Sequence, residues 1–254
     1  MIARSATAGL VWTLIRTDFK VRYHGTLGGF VWALLKPLTM FVLLMSVFSF
    51  VFGSDPDYKL NLIIGLFLWD FFAESTKAGL TSLATRGFLL TRAKSPAWVL
   101  VVTSISNAAI TIAVFITIIL GFLTVLGRAP SAVLVLCFLG YVLAFVGIVI
   151  GFSLGASVLF LRYRDLNQVW DLLIQAGFFV APIIYPLGIL PESAHIYLYL
   201  WPPTPIIEFS RDALVRGVLP SATAHAFLIA VVATSLGVGI ALFRRYSPRA
   251  AEFM

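Results

Sequence analysis

Residues 132–161 read AVLVLCFLGYVLAFVGIVIGFSLGASVLFL, thirty positions without a single charge. Wound as an α-helix, such a run is about 45 Å long, against about 30 Å of hydrocarbon in a bilayer. A helix apolar on every side at this length predicts a membrane span, one that tilts or projects beyond the lipid. Working outward, further apolar runs lie at 31–53, 61–80, 98–126, 166–190 and 222–243. The reading is an all-α membrane protein of six transmembrane helices. The 166–190 run is broken by Pro182, Pro186 and Pro191, so it ends early and is followed by short re-entrant helices before the last span. Irregular backbone survives at membrane depth only where protein buries it or a wet cavity receives it.

Composition agrees. Of 254 residues, 60% are hydrophobic and 11% charged, with a mean hydropathy of +1.00, too little polar surface for a soluble domain. A net charge of +7 raises the question of nucleic acid, but the basic residues are scattered between apolar runs, as membrane topology requires. Fourteen of the 18 Lys and Arg residues fall in the N-terminus, the second and fourth loops and the C-terminus. By the positive-inside rule both termini are cytoplasmic. The first thirty residues mix charge with apolar residues and do not resemble a secretory signal peptide. The single Cys137 forms no internal disulfide, and His24, His195 and His225 show no metal-ligand spacing.

Five segments carry possible function. Between Val11 and His24 a helix would set Val11, Trp12, Ile15, Phe19 and Tyr23 on one face. Thr13, Arg16, Thr17, Lys20 and His24 fall on the other, a basic amphipathic helix suited to the headgroup plane or to receiving force from a partner. The loop from Arg86 to Pro96 places Phe88, Leu89 and Leu90 among Arg86, Arg92 and Lys94, which a small helix docking in a partner's groove would explain. Asp70 and Glu74 lie one turn apart inside the second span, with Lys77 a turn further. They form either a Glu74–Lys77 pair or a polar channel wall or proton relay. Arg162-Tyr163-Arg164-Asp165 is a charged helix end, with Asp165 placed to cap the next helix and to pair with a neighbouring arginine. Finally, Pro182 to Gly217 is proline-rich yet too apolar for a free outer loop. No Gly-x-x-x-x-Gly-Lys-Ser/Thr phosphate loop occurs, so the chain is not expected to hydrolyse ATP alone.

In order along the chain stand Arg16-x-x-x-Lys20-x-Arg22-Tyr23, Leu27-Gly28-x-x-x-Trp32-x-x-x-Lys36-Pro37 and Gly65-x-x-x-Trp69-x-Phe71-Phe72. These are followed by Tyr163-Arg164-Asp165-Leu166, Pro182-Ile-Ile-Tyr-Pro186, Leu190-Pro191, Arg211 before Gly217, and Ala251-Glu252-Phe253. Together they resemble the permease subunit of ABC-2-type polysaccharide exporters, those for O-antigen, capsule and teichoic acid. Trp201-Pro202-Pro203 departs from the Asn-Pro common there, and Ser95, not an aromatic residue, precedes Pro96.

The resemblance implies a single permease domain, 1–254, in the bacterial cytoplasmic membrane. Residues 8–24 would be an interface helix using Arg16, Lys20 and Arg22. Residues 81–97 would be a cytoplasmic coupling loop using Arg86, Phe88, Leu89, Leu90, Arg92 and Lys94, and 182–217 an outer re-entrant segment. It implies a homodimer with two copies of a cytoplasmic ATPase. ATP and Mg would sit in that partner, with no cofactor in this chain. A lipid-linked polysaccharide would pass between the copies, amid membrane lipid. Trp69, Asp70, Phe72, Glu74 and Tyr185 are the channel candidates, since rings stack on sugar faces while polar groups meet hydroxyls. Arg164, Asp165, Pro182 and Pro186 would be structural or gating. The competing expectations are an ABC permease for a drug or lipid, a proton-coupled carrier using Asp70 and Glu74, or an intramembrane enzyme.

Overall fold

The computed structural model describes residues 2–23, 28–53, 55–92 and 96–248, and the side chains of all of these except 2–7 and 90–92. Among the described residues there is no strand. The helices are α1 (Ile2–Tyr23), α2 (Val31–Phe52), α3 (Tyr58–Thr85), α4 (Gly87–Arg92), α5 (Ala97–Ser104), α6 (Ser106–Val125), α7 (Ala132–Arg162), α8 (Leu166–Val180), α9 (Glu192–Tyr199), α10 (Pro203–Arg211) and α11 (Ala222–Tyr246). A 3-10 turn, Leu187–Ile189, precedes α9, and a π-helical turn, Asp212–Arg216, follows α10.

Among the described residues, four stretches are long and apolar enough to cross a membrane: Val31–Phe52, Ala97–Val125, Ala132–Arg162 and Ala222–Tyr246. The other two expected spans differ from these for identifiable reasons. Helix α3 has 28 residues but carries Lys59, Asp70, Glu74 and Lys77. Helix α8 has only 15 and stops at Val180, two residues before Pro182, because a residue preceding proline is driven out of helical geometry. The expected single helix over 98–126 is interrupted at Ile105. There Thr103 Oγ1 donates to Val99 O (2.8 Å) and Ser104 Oγ to Val101 O (2.6 Å), the back-bonding that bends helices.

Helix α3 is the hub. It packs on α2, α5, α6, α7, α8 and α10, and its buried face runs from Tyr58 to Leu83. Helix α11 lies along α7 over most of its length, and small residues make this approach possible. A Cβ on Gly151 would meet the Ser235 carbonyl carbon at 2.5 Å, and one on Gly239 would overlap the Gly151 carbonyl. Ser235 Oγ donates across the seam to Ile148 O (2.9 Å). Without a hydrophobic drive between helices in lipid, such backbone proximity is what holds spans together. By contrast α2 buries only Pro37.

Candidate functional site

One stripe of α3 gathers charge from three neighbours. Asp70 faces Lys36 of α2 (3.7 Å), Glu74 pairs with Arg22 of α1, and Lys77 pairs with Asp171 of α8. The expected Glu74–Lys77 pair does not form. Each side chain reaches across to another helix, where opposite charge satisfies it better than along its own turn. The acids of α3 and α8 are thereby matched by cations. Asp171 was not singled out from sequence, and Lys36 only as part of a motif. An acid six residues past Asp165, inside an apolar run, was the available signal.

Beside this stripe lies an aromatic core. Trp69 and Phe72 are both buried. Trp69 meets Phe178 and Trp201, while Phe72 stacks on Phe145 at 5.6 Å and meets Trp170 and Trp201. Phe72, Trp170, Trp201, Phe152 and Phe227 border a cavity of about 430 Å³ that also receives Thr234 and Ser235. The indole Nε1 of Trp201 is buried with no hydrogen-bond partner. Gly177 leaves room for that ring, because a Cβ there would approach Trp201 Cζ2 to 2.5 Å.

At one end of the bundle, the proline-rich one, Arg211 is buried with its guanidinium fully engaged. Its Nε and Nη2 donate to Asn61 O, Nη1 to Pro182 O and Glu208, and Nη2 also to Ile183 O. Tyr58 Oη donates to Ile184 O (3.0 Å). Pro182 therefore lies in a latch that fastens the turn after α8 to the start of α3. Glu208 also receives Arg216, which in turn pairs with Asp212. Tyr185 folds back, its Oη donating to Phe179 O and Val180 O, and Pro186 begins the 3-10 turn. Glu208 and Asp212 were missed in sequence, although an acid three residues before a buried arginine is a legible pair.

At the opposite, basic end, Arg16 and Lys20 are exposed on α1 while Arg22 is taken up by Glu74. Trp12, placed on the apolar face, is 66% exposed. Phe19 and Tyr23 face inward with Phe30. On the side that meets the bundle, Leu14 joins the cluster of Leu83, Leu100 and Val101 and Asp18 pairs with Arg86 (2.7 Å). Burial raises the Asp18 carboxyl above its usual range although Arg86 draws it down. Arg86 thus points into the protein and not towards a partner. Phe88 is exposed and Leu89 packs beside Leu83. The side chains of Leu90 and Arg92, and all of Lys94, lie outside the described residues.

Arg164 and Asp165 are exposed. Asp165 makes no cap hydrogen bond and, among the described residues, no ion pair. Its backbone is helical (φ −67°, ψ −18°), whereas the capping serines Ser131 and Ser221 are extended (ψ 154° and 159°) and accept from Leu134 and Ala224 N–H groups. A side chain can fold back on the first turn only from the extended geometry.

Apolar helices of spanning length around a charge-matched central helix define a multi-pass membrane protein. The chain matches the ABC-2 type transporter family over residues 9–215 and belongs to it. Among its relatives is the O-antigen export system permease protein RfbA of Klebsiella pneumoniae, 29% identical over 96% of this chain and 95% of that protein. RfbA of Myxococcus xanthus is 27% identical over 96% and 95%. The polysialic acid transport protein KpsM of Escherichia coli is 22% identical over 91% of each chain.

Proposed function

We propose that this chain is the permease of an ATP-driven exporter that moves a lipid-linked polysaccharide across the bacterial inner membrane. Two copies would work with two copies of a separate cytoplasmic ATPase that holds ATP and Mg. The observation that carries the reading is similarity along nearly the whole chain to O-antigen and polysialic acid export permeases. The site supports it: Trp69, Phe72, Trp170 and Trp201 stand beside hydroxyls and a matched charge stripe, the mixture a sugar polymer requires. Asp70 and Glu74, as channel-wall residues, are held by Lys36 and Arg22, which accounts for them without a proton relay.

In this arrangement α3 and α8 are the second and fifth of six spans, their charges turned to protein or passage. Both termini and the basic end are cytoplasmic. The segment 182–217 re-enters the membrane at the outer mouth, with Tyr185 near the exit. Exposed Phe88 and the rest of α4 meet the ATPase, while Arg16 and Lys20 of α1 lie among headgroups. Proteoliposomes holding the chain and its ATPase should carry the glycan only with ATP. Transport that persists without ATP and collapses with the proton gradient would overturn the reading.

A further inference from the structure

Arg86 occupies the corner where α3 ends and α4 begins. Its N–H donates to Ser82 O (3.2 Å), and its carbonyl accepts from Leu89 N (2.9 Å), so its backbone belongs to both helices. Its guanidinium divides between two others: Nη1 reaches Thr103 Oγ1 (3.0 Å) and Leu100 O (3.4 Å) of α5, while Nη2 faces Asp18 of α1 (2.7 Å). Asp18 is the sole acid of α1, in a helix whose Arg16 and Lys20 face outward. It is turned inward, and both partners are about four-fifths shielded, with side-chain exposures of 18% and 22%. Shielding from water and salt strengthens such a pair. One turn further along α1, Arg22 holds Glu74, so α1 is fixed to α3 at two points.

We propose that the Asp18–Arg86 pair is a mechanical joint that makes α1 and the α3–α4 corner move as one body, so that force entering at α4 also displaces α1. Both are positioning residues for transport. The inference rests on the reading that α4 receives a partner ATPase. In the reconstituted complex, Asp18→Asn should leave ATP hydrolysis close to wild type while export per ATP falls about fivefold or more, the scale of a typical coupling energy. Asp18→Glu should restore it, a rescue that a merely structural role of Asp18 would not link to coupling.

Spin labels at exposed Thr17 and Thr85, with Cys137→Ala, give an independent readout. Their separation should stay constant between nucleotide-free and ATP-trapped states and diverge in Asp18→Asn. Wild-type export per ATP in Asp18→Asn would overturn the joint, as would a Thr17–Thr85 distance that changes with nucleotide in the unmutated pair. Should Asp18→Asn not assemble, the distance in the unmutated pair decides alone. A complex that hydrolyses ATP and moves no glycan refutes the transport reading instead, leaving the distance measurement to judge the joint.

Discussion

Arg211 has five hydrogen bonds and 2% of its surface exposed. Substituting it with Met leaves Glu208 with Arg216 alone and the carbonyls of Asn61, Pro182 and Ile183 without its donors, which should destabilise the protein by about 3–5 kcal/mol. Lys in its place keeps the charge but not the planar fork, so thermal unfolding should place Arg211→Lys between Met and wild type. An Arg211→Met variant as stable as wild type would refute the latch. A second comparison concerns two acids. Asp57 pairs with Arg128, while Asp165 has neither cap bond nor ion pair. Asp57→Ala should therefore lower the unfolding temperature more than Asp165→Ala, though by no more than about 1 kcal/mol because the pair is partly exposed. Equal shifts would show that the Asp57 pair contributes nothing. From sequence alone Asp165 was expected to cap a helix and to pair with an arginine. Residue spacing reveals who can sit near whom, but a cap depends on a backbone angle that Asp165 does not adopt.

At the scale of helices, the seam between α7 and α11 depends on Gly151 and Gly239, each set against the other helix's backbone. Gly239→Val should push α11 away and disrupt packing by about 1–3 kcal/mol, the usual range for overfilling a tight interior. The same change at Gly237, where a Cβ meets nothing within 4 Å, should be tolerated. Comparable losses of thermal stability at both positions would refute the seam. Helix existence was legible throughout, since apolar length needs no partner to be recognised. The face each helix presents was not. Helix α1 looked like a simple amphipathic ribbon, yet Asp18 is turned inward, because the orientation is decided by Arg86 and Leu83 about seventy residues away. The ion pairs of α3 escaped for the same reason: their partners come from α1, α2 and α8.

For the molecule as a whole, the proposed contact with the ATPase lies at α4. Phe88→Ser together with Leu89→Ser should weaken co-purification with the ATPase while membrane insertion persists, each buried apolar side chain contributing about 1.5–3 kcal/mol. Unchanged co-purification and export would make the loop a plain connector. The fold itself is unevenly self-sufficient. Helices α3, α7 and α11 find their places against one another, but α2 buries a single proline and leaves Phe50 89% exposed. Beyond its contact with α3 and the Lys36–Asp70 pair, its place would be set by the surrounding lipid and the assembled complex. A newly made copy that has met no partner would therefore display α2 as a loosely held strip, open to membrane proteases that extract unassembled subunits. Pulse-chase measurement should find the chain short-lived when expressed alone and long-lived beside its ATPase. Cellular abundance of the permease would then be governed by its companions' supply as much as by its own gene.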